Sequence, residues 1–192
     1  MTTETAPPPP SDEPPEDYRL LVPRDWFRVD LTLDRWRPQL KTFVDQQAAG
    51  RHMSAEARQG LWTTLRNTAE SGVSQGSLEL FLRTESATSA TAAATPATLL
   101  VSLLAMPGDL YATPDDWARS LSDRRGSGTE VTVIDLPAGQ TVRAATATAL
   151  DLFVHMPGKA GYLLLAFTVP LSGINSPMGR LCEAMARSLR WV

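Results

Sequence analysis

Cysteine is almost missing from this chain: Cys182 stands alone among 192 residues. No intramolecular disulfide can form, which fits a reducing compartment. Histidine is nearly as scarce, with His52 and His155 only, and no His/Cys cluster has the spacing of a zinc ligand set. Long hydrophobic runs are lacking too. The longest, residues 97–106, is interrupted by Thr98 and Ser102 and is too short to span a bilayer as a helix. The first residues have neither a basic start, nor an apolar stretch, nor a cysteine for a lipid, so no secretory signal or membrane insertion is expected and a cytoplasmic location is. No Walker loop, dinucleotide fingerprint or G-x-S-x-G elbow occurs. Nor is there an excess of positive charge: the formal net charge is -3, so the wholesale footprint of a nucleic-acid binder is absent.

What is there suits a globular domain. Hydrophobic residues make up 43% and charged residues 20%, enough to bury a real core. The 15 prolines concentrate early, with Pro7 to Pro10 in a row and then Pro14 and Pro15. Glu4, Asp12, Glu13, Glu16 and Asp17 give this start a charge of -5, and removing it from -3 leaves +2 for the rest. Residues 1–17 therefore read as a disordered, proline-rich acidic tail with polyproline II character, and residues 18–192 as a single α+β domain. The low-complexity stretch 85–96, ESATSATAAATP, reads as a flexible loop within it.

Hydrophobic period then sets the elements. Residues 18–22 and 27–33 read as two founding strands of a sheet, broken at Pro23, with Phe27, Val29 and Leu31 on one face and Arg28 and Asp30 on the other. Asp34 is the expected cap of a helix carrying Trp36, Leu40, Phe43, Val44 and Gln47, ending at Gly50. Ser54 caps a second helix, with Ala57, Leu61, Leu65, Ala69 and Val73 at every fourth position. Residues 77–84 alternate, and 97–106 are apolar on both parities, the pattern of a strand covered on both faces. Thr113-Pro114-Asp115-Asp116 is a helix start. Up to four strands follow at 129–136, 141–147, 150–156 and 161–169, separated by proline- and glycine-bearing turns. Ser176-Pro177 opens a last helix with a stripe of Met178, Leu181, Cys182, Met185 and Leu189. The expected fold is α+β: a mainly antiparallel sheet of six to seven strands flanked by helices, with a helical hairpin after the first strands.

Candidate chemistry is thin. Cys182 lies on an apolar helical stripe, where a cysteine behaves as a small hydrophobe. A Cys182–His155 pair stays open, since the last helix could cover that strand, and a hydrolase or transferase would use His155 or Cys182. Asp115 and Asp116 are accounted for by capping. The loop Arg124-Arg125-Gly126-Ser127-Gly128 could meet a phosphate, although such short basic loops are usually plain surface. The five tryptophans, Trp26, Trp36, Trp62, Trp117 and Trp191, sit beside apolar stripes, and any one left exposed would mark an interface. Trp26, Arg28, Asp30 and Trp191 are where an interface is expected. No catalytic, metal or cofactor-binding residue is expected.

Three stretches together resemble a known family. They are Y-x-L-x-V-P-x-x-W-x-x-x-D-L at 18–31, F-V-H-M-P followed by G-Y-L-L-L-A-F-T-V-P within 153–170, and S-L-R-W at 188–191. The pattern resembles a group of actinobacterial proteins often encoded near type VII secretion genes. More distantly it is similar to the PsbP-like fold, which also hosts a Ran-binding protein and small lipoproteins. The chain departs from the lipoproteins in having no N-terminal cysteine, and its two-helix insert between Asp34 and Gly76 matches the actinobacterial group. The resemblance implies an antiparallel sheet between helices and a non-enzymatic accessory role through protein–protein contacts. Its concrete form is an adaptor or chaperone whose partner is secretion machinery or a secretion substrate. The alternative is a carrier of an apolar small molecule held between sheet and hairpin. Self-association through an exposed edge strand stays open.

Overall fold

In the computed structural model, which describes residues 13–84, 95–106 and 111–192, the chain forms a seven-stranded antiparallel sheet with helices on both faces. Its elements are β1 (Tyr18–Arg19), β2 (Phe27–Asp30), α1 (Trp36–Arg51), α2 (Ala55–Ser74), β3 (Ser77–Arg83), β4 (Ala97–Ala105), α3 (Pro114–Arg125), β5 (Glu130–Leu136), β6 (Gly139–Ala145), β7 (Ala149–His155), β8 (Gly161–Thr168), α4 (Pro177–Arg187) and β9 (Arg190–Trp191). The sheet order is β2-β3-β4-β8-β7-β6-β5, and β1 pairs only with β9. The expected tail at 1–17 and loop at 85–96 lie mostly outside the described residues, which exclude 1–12 and 85–94.

Strand parity assigns the two faces. Leu99, Val101, Leu152, Leu163, Leu165 and Phe167 point to one face and form one core with Cys182, Met185, Ala186 and Leu189. The opposite face carries two smaller cores. One packs Val29, Leu80 and Leu82 with Trp36, Leu40, Phe43 and Leu65 of the α1–α2 hairpin. The other packs Val142, Phe153 and Tyr162 with Leu121 of α3. β4 and β8, apolar on both parities, therefore sit in the middle of the sheet, as that pattern predicts. The cover runs out toward the end of β4, where Leu103 is 41% exposed.

Local signals explain most of the boundaries. The Ser54, Thr113 and Ser176 hydroxyls accept from the N–H groups of Ala57, Asp116 and Gly179, filling donors that a helix start leaves open. Leu136 pairs with Gly139 across the two-residue Pro137-Ala138 turn.

Four expectations need correction. β1 is not a founding strand of the sheet; it forms a ribbon with β9, because its partner comes from the far end of the sequence. Asp34 does not cap α1: Arg35 holds that position and makes no side-chain cap bond. Gly50 does not end α1, which runs on until His52 turns left-handed at φ 48 and donates its N–H to the Ala48 carbonyl. In α2 the buried stripe leaves the fourfold spacing at its end. Each four-residue step turns about 40° past a full circle, so Gly72 is buried where Val73, 41% exposed, has rotated out.

The start of α4 depends on one glycine. A Cβ at Gly179 would lie 1.8 Å from the Ile174 carbonyl oxygen, a backbone atom that cannot step aside. Gly179→Ala should therefore cost about 3 kcal/mol, the upper end of overpacking penalties, seen as a lower urea midpoint with an unchanged slope.

Candidate interaction surface

The stretch between β1 and β2 crosses the α4-covered face of the sheet as a strap held at both ends. At one end Tyr18 pairs with Trp191 and Arg19 with Arg190. The Glu16 and Asp17 N–H groups donate to the Val192 carbonyl at 3.2 and 3.3 Å. The Leu21 N–H donates to the Ser188 hydroxyl at 2.9 Å. Farther along, Trp26 N–H donates to the Pro23 carbonyl at 3.0 Å and closes the turn into β2. Period two sends Tyr18, Leu20 and Val22 against the core, so Arg19 and Leu21 face out. Leu21 is 75% exposed although its backbone is tied down.

Beneath the strap lies a polar triad. The Tyr18 hydroxyl donates to the Glu79 carboxylate at 2.5 Å, and the Arg28 guanidinium pairs with the same carboxylate. Burial pushes the Tyr18 phenol well above its ordinary range, and the bond to Glu79 pushes it the same way. The Thr32 hydroxyl, 2.6 Å from Asp30, holds that carboxyl below the usual carboxylate range.

Two open grooves flank the strap. The first, about 640 Å³, runs between the strap and the β2–β3 surface past Arg28, Asp30 and Glu79. The second, about 620 Å³, runs between the strap and the end of α4, past Arg187, Arg190 and Trp191. Arg19 and Leu21 line both. Among the described residues, the lining of the second groove includes Arg19, Arg187 and Arg190 and no Asp or Glu.

Of the four residues expected at an interface, three reach this surface. Arg28 is exposed, Asp30 is half-buried, and both line the first groove; Trp191 lines the second. Trp191 is also fixed by its indole N–H, which donates to the Ala138 carbonyl at 2.7 Å. Trp26 is covered by its own chain at 5% exposure and belongs to the same core as Phe81 and Leu99. Its indole N–H has no hydrogen-bond partner among the described residues. Tyr18, Arg19, Leu21, Glu79, Arg187 and Arg190 were not expected. A signal existed for Leu21: in Arg19-Leu20-Leu21-Val22 the apolar run is out of phase for a one-sided strand, so one leucine must face water.

The candidate catalytic pair is separated by the sheet. Cys182 packs on the α4 side with Leu152 and Leu163, whereas His155 shares the other parity with Phe153. His155 instead faces Tyr111, whose hydroxyl lies 2.7 Å from its Nε2, and Tyr162, whose ring centroid is 5.7 Å away. Burial draws the His155 pKa down and pushes those of Tyr111 and Tyr162 up. The basic loop is committed as well. Arg125 pairs with Asp151 at 2.6 Å, and Arg124 donates to Ser120 and lies over the Trp117 ring. Among the described residues no group of three or more His, Cys, Asp or Glu side chains is placed to hold a metal ion, and no helix is long and apolar enough to cross a membrane.

Two outcomes follow from these contacts. Tyr18→Phe should cost about 1 kcal/mol and speed amide hydrogen exchange at Arg19 to Val22, because it frees the strap from Glu79. The His155 environment favours the neutral ring, so the folded protein binds fewer protons there than the unfolded chain. Stability should hold above the unfolded histidine value of about 6.5 and fall as pH drops through and below it. Urea titrations between pH 8 and pH 5 should show this decline, and His155→Gln should flatten it.

The chain matches no family model, no curated protein and no solved structure, so the geometry of the strap and its grooves carries the functional reading.

Proposed function

We propose that this protein is a non-enzymatic accessory protein that binds another protein through the strap and its two grooves. The observation that carries this is Leu21. An apolar side chain three-quarters exposed, on a backbone fixed by a hydrogen bond to Ser188, is preorganised for contact. Around it Arg19, Arg187, Arg190 and the half-buried Trp191 supply residue types enriched at interface hot spots. The family resemblance suggests the partner class: secretion machinery of the type VII kind, or a substrate that the protein chaperones to it.

The carrier reading has less support. Trp36, Leu40, Phe43, Leu65, Leu80 and Leu82 occupy the space between hairpin and sheet. The groove on the hairpin, about 530 Å³ beside Val44 and Trp62, is lined by α1 and α2 and by no sheet residue.

Tagged wild-type protein and a Leu21→Glu/Arg190→Glu variant should be compared in affinity capture from an actinobacterial lysate. The wild type is expected to retain a secretion component or substrate that the folded variant loses by tenfold or more, the consequence of about 1.4 kcal/mol. Identical recovery by both proteins would remove the strap as the contact surface, and recovery of no secretion protein would remove the specific assignment.

A further inference from the structure

The open sheet has two edges, and they differ. β2 is only four residues long, and its outward Asp30 N–H is already taken by the Gln39 side chain at 3.0 Å. β5, at the other edge, is seven residues long and contains no proline. It pairs with β6 in unbroken register from Glu130↔Ala145 to Leu136↔Gly139, and no strand among the described residues lies along its other side. α3 packs on the Val131 and Val133 face of this edge rather than along it. Alternate N–H and C=O groups of β5 therefore point outward, the arrangement that accepts an added strand.

A small slot opens beside this edge. Its volume is about 190 Å³, and Ile134 and Leu136 of β5 line it together with Leu152 and with Ala186 of α4. The Arg143–Glu183 pair, 3.5 Å apart, stands next to these apolar side chains. The slot has room for one large apolar side chain. In strand addition main-chain bonds supply affinity, and pockets for alternate side chains supply selectivity. β5 offers both in one place.

Charge selects the occupant. Glu130, 3.7 Å from Arg143 but with its side chain 71% exposed, and the exposed Asp135 are the only charged residues on β5. A second copy would bring four carboxylates and no cation onto the two adjoining strands, and like charges facing one another are destabilising. A strand with basic residues is attracted instead.

We propose that β5 is a docking edge for an extended basic segment of a partner protein, added antiparallel, with one apolar side chain entering the slot. Antiparallel geometry sets the pattern. If the apolar residue i lies opposite Ile134, residue i−1 lies opposite Asp135 and residue i+4 opposite Glu130. Both flanking positions call for lysine or arginine, so the recognised segment reads basic-apolar-x-x-x-basic. The proposal shares with the preceding section the idea of a protein partner. It does not depend on the strap grooves, and Arg187 is the one residue lining both the second groove and the slot.

The test is a titration of the ¹⁵N-labelled full chain with the synthetic peptide TKLVTVRT, followed by amide chemical shifts. Saturable shifts confined to β5 and its neighbours on β6 and α4 are expected. The peptide TELVTVET should bind at least about tenfold more weakly, from two attractions turned into repulsions, and TKLPTVRT should lose binding, because its proline stands opposite Val133, whose backbone groups point outward. A Glu130→Lys/Asp135→Lys protein should reverse the preference between the first two peptides; both changes lie on the exposed edge. Absence of saturable shifts with millimolar TKLVTVRT, shifts centred away from β5, or an unchanged preference in the double variant would each overturn the proposal. Strap variants at Leu21 and Arg190 should bind TKLVTVRT as the wild type does, which separates this outcome from failure of the strap reading.

Discussion

The pairing of β4 with β8 is the contact on which the rest of the structure depends. Each half of the sheet is otherwise local: β2, β3 and β4 neighbour one another around the helical hairpin, and β5 to β8 form a meander. The two halves meet only where β4 and β8 run antiparallel from Thr98↔Thr168 to Ala105↔Gly161. That junction closes a long stretch of chain, at an entropic cost that must be met before any contact across it forms. The apolar parity of both strands offsets it. Leu99, Val101, Leu163, Leu165 and Phe167 are each at most 1% exposed and belong to a single core with α4. Gly161 ends the junction with φ +125, and a Cβ there would stand 2.1 Å from the Leu104 carbonyl oxygen. The strands approach so closely at this point that only glycine fits.

This junction also explains what could be read from the sequence. Strands apolar on both parities announce a sheet covered on both sides, and from that the two helical layers follow. Helix starts at Ser54, Thr113 and Ser176 were legible because a side-chain oxygen three residues ahead of a free N–H is a local geometry. Asp34 carried the same signal and was overridden, since Arg35 is the residue that meets α1 at the turn from β2. The β1–β9 ribbon was illegible for a different reason. Each strand is two residues long, and the partners lie at opposite ends of the numbering, so no local period marks the pairing. The second groove draws most of its lining from β9 and the end of α4. Of the residues expected at an interface, Arg28, Asp30 and Trp191 lie on the groove linings, together with Arg19, Leu21, Arg187 and Arg190, which no local pattern singled out.

Parity has a second effect, on chemistry. Nothing in the spacing of His155 and Cys182 rules out a meeting. The sheet does, because α4 covers the face of Leu152 and Val154 while His155 shares the opposite face with Phe153. A sheet three or more strands wide is a wall, and one residue of register decides which side of it a functional group inhabits. The same rule places Leu21 in water and Leu20 in the core.

The tryptophans also give the molecule a built-in optical readout. Trp36 sits in the hairpin core with the Arg37 guanidinium 4.4 Å above its ring. Trp117 stacks 5.9 Å from Tyr162 under α3. Trp26 is sealed in the main core, and Trp191 closes the ribbon through Ala138. Each layer thus carries an indole in a different dielectric and with a different neighbour. Variants that keep a single tryptophan would make emission wavelength report the opening of hairpin, α3, core and ribbon one at a time.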